Sequence, residues 1–289
     1  MIAAARLAAA FASLLFPRPP AAGTFAVSTP ATLDDAIATV LAPARTATPT
    51  PTEGSPLVLG VGELHQTTDT AAIASSLSRF TRQLWPLIAA RVSDLIVETW
   101  VTDGACGKAE AATVGDVART TQRPAATEDE IVTLLERAKA SGARPHILKV
   151  TCAEYRLLAR SGGGGSRQPV DFERMLALIE QKLEAKVTDV LATRPAADAT
   201  KLVVVYGGAL HNDLHPDPVL ARFSYGLRAF HATAGRYREL DLYVPAYLER
   251  SAAIHGEPWF PLWERAAASR RPVLLRRSPE SFILVFAKD

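Results

Sequence analysis

Four short and almost wholly apolar runs recur along the chain, separated by stretches long enough to be helices. They are Leu57–Val61 (LVLGV), Leu95–Glu98 (LIVE), Pro145–Val150 (PHILKV) and Lys201–Tyr206 (KLVVVY). A run with no polar side reads as a strand buried on both faces, and such strands need covering layers. The intervening segments supply them. Thr70–Arg91 has helical spacing interrupted by Pro86, and Thr127–Ser141 opens on a Thr127/Glu130 capping box and stops at Gly142. Asp171–Leu191 places Phe172, Met175, Leu176, Ile179 and Leu183 along one helical face. This alternation predicts an α/β fold: a mainly parallel sheet covered by helices on both faces. The ending differs. Tyr237–Val244 (YRELDLYV) alternates like a half-buried strand, and Pro272–Arg277 and Ser281–Ala287 flank Ser278-Pro279-Glu280 as a C-terminal antiparallel hairpin.

The segments before residue 57 read differently. Leu7–Phe16 is an apolar run of ten residues behind Arg6, followed by prolines and then Ala21, Ala22 and Gly23. That pattern is a secretory signal peptide over residues 1–23, and the run is too short to span a bilayer, which takes about 20 apolar residues. Residues 24–56 read as an N-terminal arm, with a short helix over Leu33–Leu41 and a Pro/Thr-rich linker from Ala42 to Pro56. Residues 57–289 are expected to form a single α/β domain. Export puts the mature protein in the periplasm or outside the cell, and no membrane insertion is expected once the leader is gone. In an oxidising compartment Cys106 and Cys152, the chain's two cysteines, favour one disulfide.

Charge narrows the partners. The chain carries 32 Lys and Arg against 30 Asp and Glu, and loss of Arg6 and Arg18 with the leader leaves 30 of each sign. A neutral mature chain has no electrostatic reason to bind nucleic acid or an anionic membrane. A small molecule or a peptide is the expected substrate, and nothing in the sequence sets an oligomeric state.

Ligands of parallel α/β sheets bind beyond the carboxyl ends of the strands. The first strand leads into Gly62-Glu63-Leu64-His65, the second ends in Glu98-Thr99-Trp100, and the fourth leads into Gly207-Gly208-Ala209-Leu210-His211. Two histidines and two carboxylates thus reach one rim from three strands. Glu98 closes a buried strand and needs a partner there, whether histidine, arginine or metal. Glycines beside His211 allow close approach of backbone. Tyr206 and Arg123 are within reach of the same cleft. His146 lies at the opposite end of its strand, His215 reads as a loop residue before Pro216, and His231 and His255 read as surface residues. The chain lacks a complete dinucleotide fingerprint, a phosphate-binding GxxxxGK[ST] loop, an HExxH zinc motif and a GxSxG nucleophile elbow.

GVGELH, VETW, YGGALHND and RRSPESFILVF together resemble the superfamily that joins erythromycin esterases, ChaN-like haem-binding proteins and Tiki/TraB proteases. The resemblance runs from about Leu57 to Phe286. It matches Glu63 and His65 to the first motif, Glu98 to the acidic strand end and His211 to the second histidine motif. It implies two readings. In a hydrolase of ester or amide bonds, His65 or His211 is the general base and Glu63 and Glu98 orient it; with a divalent metal, Glu63, His65, Glu98 and His211 are the ligand set. In a haem- or iron-binding protein without catalysis, His65 or His211 with Tyr206 supplies axial ligands, and Trp100 and Phe223 form the walls.

Overall fold

The computed structural model describes residues 25–43, 55–103, 106–107, 114, 117, 121–158 and 171–288. The signal-peptide segment, most of the Pro/Thr-rich linker and the glycine run at 161–166 lie outside them.

Eight strands form one sheet: β1 (Ala26–Ser28), β2 (Val58–Glu63), β3 (Val92–Asp103), β4 (Arg144–Thr151), β5 (Leu202–Gly208), β6 (Tyr237–Tyr243), β7 (Val273–Arg276) and β8 (Ser281–Val285). Their spatial order is β1-β7-β8-β6-β2-β5-β3-β4. β2 pairs in parallel with β5 and β6, β3 with β4 and β5, and β6 with β8. β7 pairs antiparallel with β8 and with β1. The expected class therefore holds: a mostly parallel sheet, helices around it and an antiparallel C-terminal end.

Both faces of the central strands are covered because both sets of alternate side chains are apolar. On one face Leu59, Val61, Val97, Val204 and Tyr206 pack with Ile37, Val40, Leu77, Phe80, Leu84 and Leu134. On the other, Val58, Ile96, Val203 and Val205 pack with Met175, Ile179, Leu183 and Val187 from the helix Phe172–Thr193. Asp171 caps that helix by accepting the Arg174 amide at 3.2 Å. Each fully buried aliphatic side chain in these layers contributes roughly 1.5–3 kcal/mol.

Four details differ from the sequence expectation. The segment before residue 57 is built into the fold: β1 extends the sheet, and the helix Leu33–Val40 buries Ala36, Ile37 and Val40 in the core. The 70–91 region is segmented into helical pieces, with a π-helical turn at Phe80–Leu84 and Pro86 in the first turn of Trp85–Ile88, where its missing N–H costs nothing. The Thr127/Glu130 capping box is absent, because the helix Ala126–Ala140 begins before Thr127; Ser75 Oγ instead donates to Glu130 at 2.5 Å. Finally, β6 is buried along its whole length, since it runs between β2 and β8 as an interior strand rather than half-exposed.

Candidate active site at the carboxyl ends of β2, β3 and β5

The chain builds outward from β2 through β3 to β4, returns through β5, and continues on the far side of β2 with β6. The carboxyl ends of β2, β5 and β3 therefore lie where the direction of winding reverses, the place where open α/β sheets form their crevice. A small concavity of about 10 Å³ opens there, lined by Glu63, His65, Glu98, Arg123, Tyr206 and Gly207 with Leu77, Val97 and Ile131.

Register delivers the polar groups. Val61 pairs with Tyr206 and Glu63 with Gly208, so Glu63 and Tyr206 sit on the same side of adjacent parallel strands. Tyr206 Oη donates to Glu63 Oε2 at 2.5 Å, and His65 Nδ1 lies 2.8 Å from Glu63 Oε1. Glu98 arrives through an irregularity: the β3–β4 register breaks between Val97 and Trp100, which takes Glu98 and Thr99 out of the ladder. Its carboxylate turns toward β5 and accepts the Gly208 amide at 2.6 Å. Glycine at both positions of the β5 end leaves room for these side chains. A Cβ on Gly207 would stand 2.4 Å from Glu98 Oε2, and one on Gly208 would stand 2.9 Å from His65 Nε2.

These partners fix the state of each imidazole. A carboxylate only accepts, so His65 Nδ1 carries the proton it gives to Glu63. A guanidinium only donates, and Arg123 donates to His65 Nε2. His65 thus gives its Nδ1 proton to Glu63, and its Nε2, at the concavity, takes the Arg123 donor. His211, on the short helix Ala209–Asn212, gives its Nδ1 proton to the Phe223 carbonyl at 2.7 Å. Its Nε2 stands 3.9 Å from Glu98 Oε1, an ion pair when the ring is protonated.

The carboxyl and phenol groups respond to this setting. Burial alone would raise the Glu98 carboxyl, but the His211 and His65 rings when charged, Arg123 and the Gly208 amide outweigh it and hold Glu98 below the usual carboxylate range. Burial, with the Glu63 charge and hydrogen bond, pushes the Tyr206 phenol well above 10, so it stays a donor to Glu63.

The structure thus brings Glu63, His65, Glu98, His211 and Tyr206 to one end of the sheet, together with Arg123. It does not arrange them as a metal donor set: among the described residues no group of three or more His, Cys, Asp or Glu side chains converges on a point that could hold a metal ion. The donor chemistry agrees, because both Glu63 oxygens are engaged by donors and His65 Nε2 is taken by the Arg123 guanidinium. Nor do Trp100 and Phe223 line the concavity, and the Tyr206 hydroxyl is committed to Glu63. His146 pairs with Asp94 at 2.8 Å at the far end of the sheet, and His231 and His255 are exposed.

A second polar cluster, which sequence reading missed, lies beside the His211 helix. Asp213, Glu239 and Asp241 are buried, with Asn212 Nδ2 3.2 Å from Asp241 Oδ1 and the Leu214 amide donating to Glu239 at 2.9 Å. Arg277 stands 3.5 Å from Asp213. Burial and the Asp213 charge push Asp241 up to about 8, and burial with its acidic neighbours pushes Glu239 well above the usual range. The available signal was two acids at alternate positions, Glu239 and Asp241, in a strand whose only other charged residue is Arg238.

No protein-family model and no curated protein matches the chain. Among solved structures, the signal recognition particle receptor FtsY of Elizabethkingia anophelis in complex with GDP is similar, at 13% identity and a TM-score of 0.30. The likeness covers 76% of this chain and spans 50% of that one, and at that score it carries no argument about fold or function.

Proposed function

We propose that the chain is an exported hydrolase of ester or amide bonds, with His65 as the general base. One observation carries the reading: Glu63 holds His65 in the tautomer whose Nε2 lone pair lies at the concavity, where Arg123 covers it until the guanidinium turns away. Such a ring removes a proton from water as the water oxygen adds to the substrate carbonyl carbon. The tetrahedral intermediate then expels the alcohol or amine, to which the imidazolium returns the proton. Glu63 orients the ring and stabilises the imidazolium, and Tyr206 holds Glu63. Glu98 and His211 act as positioning residues, because Glu98 fixes the Gly207–Gly208 turn against which His65 packs. No step is routed through a metal, since the donor set does not fit one.

The haem-binding reading has less support. The concavity, with a volume of about 10 Å³ and charged groups in its lining, falls far below the ~300–1,000 Å³ of pockets that enclose a drug-sized ligand. Export is supported by the disulfide between Cys106 and Cys152.

The test is hydrolysis of activated carboxylic esters and of short peptides by the purified protein and its His65→Ala variant, with and without a chelator. We expect His65→Ala to lose about 10²–10⁴-fold in kcat/KM, and the chelator to have no effect. A His65→Ala enzyme as fast as the parent would exclude His65 as the base.

A further inference from the structure

We propose that Arg123 is a carboxylate-recognising gate, so that the substrates of this site are esters or amides bearing a free carboxylate close to the scissile carbonyl. The inference deepens the hydrolase reading and rests on it for the word substrate, though not for the binding it predicts.

The argument begins with unmatched partners. Each carboxylate in the concavity is already served. Glu63 takes donors from His65 and Tyr206, and Glu98 takes the Gly208 amide and faces His211. Arg123 lines the same space, yet among the described residues no carboxylate lies within ion-pair distance of it. Its hydrogen-bond partner is His65 Nε2. An imidazole offers one lone pair to a guanidinium that presents five donors in a planar fork. A carboxylate offers two oxygens and a full charge, and bidentate charge-assisted pairs of this kind are roughly twice as strong as neutral hydrogen bonds. A carboxylate entering the concavity therefore outcompetes His65 for the guanidinium.

The consequence is a coupling. While Arg123 donates to Nε2, the lone pair that must take a proton from water is occupied. When Arg123 turns to the ligand, the lone pair is released beside the bound molecule. A ligand without the anion leaves Arg123 on His65 and the base blocked. The positive charge thus selects the substrate and frees the base in one movement.

Acetate is a sufficient probe, because the binding step requires no turnover. Histidine ring nitrogens are followed by NMR in protein carrying ¹⁵N-histidine, during titration with acetate at constant ionic strength. His65 is assigned through His65→Ala. The expected result is a saturable shift of His65 Nε2 with acetate, none with the neutral isostere acetamide, and loss of the acetate response in Arg123→Gln. Arg123→Lys, which keeps charge without the fork, should bind acetate more weakly than the parent. Equal responses to acetate and acetamide, or no response to either, overturn the gate using the parent protein alone, even where a variant fails to fold. A turnover arm separates the two claims. For carboxylate-bearing esters, Arg123→Gln should lower kcat/KM about ten- to a hundredfold, as loss of a hydrogen bond to a charged group does, whereas for uncharged esters, on which the parent's base stays blocked, it should raise kcat/KM. Equal losses on both substrate types overturn the gate and leave the hydrolase standing. Acetate binding without any hydrolysis would do the reverse.

Discussion

Tyr206 is 2% exposed, and its hydroxyl reaches Glu63 across two strands, so the state of the His65 base depends on a phenol that never meets solvent. Removing that hydroxyl leaves Glu63 Oε2 buried without a donor, which costs about 1–3 kcal/mol. Tyr206→Phe should therefore destabilise by that amount in urea unfolding, whereas Tyr206→Phe made on a Glu63→Gln background should cost clearly less, because the charge that needed the donor is gone. Additive losses would show that the two side chains do not act as a pair. At this scale the sequence was partly legible. Glu63 and His65 stand two residues apart at a strand end, and Glu98 closes an apolar run, so their arrival at one rim could be read from spacing. Arg123 could be read only as within reach, because it lies outside any periodic run and its contact with His65 spans 58 residues.

At the scale of the element, β6 carries the clearest departure from pattern. Alternation in YRELDLYV read as one wet face, yet β2 and β8 flank the strand and all seven residues are buried. What alternation could not convey is that acids on an interior strand avoid the cost of burial by staying protonated. Asp241 is pushed from 3.8 up to about 8 by burial and by the Asp213 charge, against the lowering pull of Asn212 and Arg277. An acid whose folded value lies above its unfolded one holds its proton more tightly in the folded state. Its contribution to stability is therefore complete below about pH 3.8 and is lost as pH climbs through about 8. Asp241→Asn keeps the shape and cannot ionise, so it should melt above the parent at alkaline pH and match or trail it near pH 4. Parallel melting curves for the two proteins from pH 4 to 9, offset by a constant, would refute a buried neutral acid at this position. Strands β2, β3 and β5 were legible because their central runs have no polar face, and their errors are confined to the ends: β3 runs on to Asp103 through the irregularity that frees Glu98. β4, at the sheet edge, exposes Pro145, Lys149 and Thr151 rather than burying both faces, and the short β1 carries no such signal.

At the scale of the molecule, the sheet and the site rest on different parts of the chain. The groups that define His65 come from β2, β5 and the segment carrying Arg123, while the bridge between Cys106 and Cys152 ties the stretch after β3 to the residue following β4. That bridge closes a separation of 46 residues, and closing such a loop restricts the unfolded chain, a contribution on the order of 2–4 kcal/mol. It shares no residue with the Glu63–His65–Tyr206 chain of hydrogen bonds, whose positions are set by β2–β5 register. Replacing both cysteines, Cys106→Ser with Cys152→Ser, should therefore lower the urea midpoint by an amount corresponding to about 2–4 kcal/mol, yet leave the ester hydrolysis rate near that of the parent under conditions where both are folded. The two readouts separate the alternatives. An unchanged midpoint would mean the bridge does not restrain the unfolded chain. A normal midpoint loss with a collapse in rate for carboxylate-bearing esters alone would mean that the bridge, by limiting where the following segment can go, is what presents Arg123 to the site.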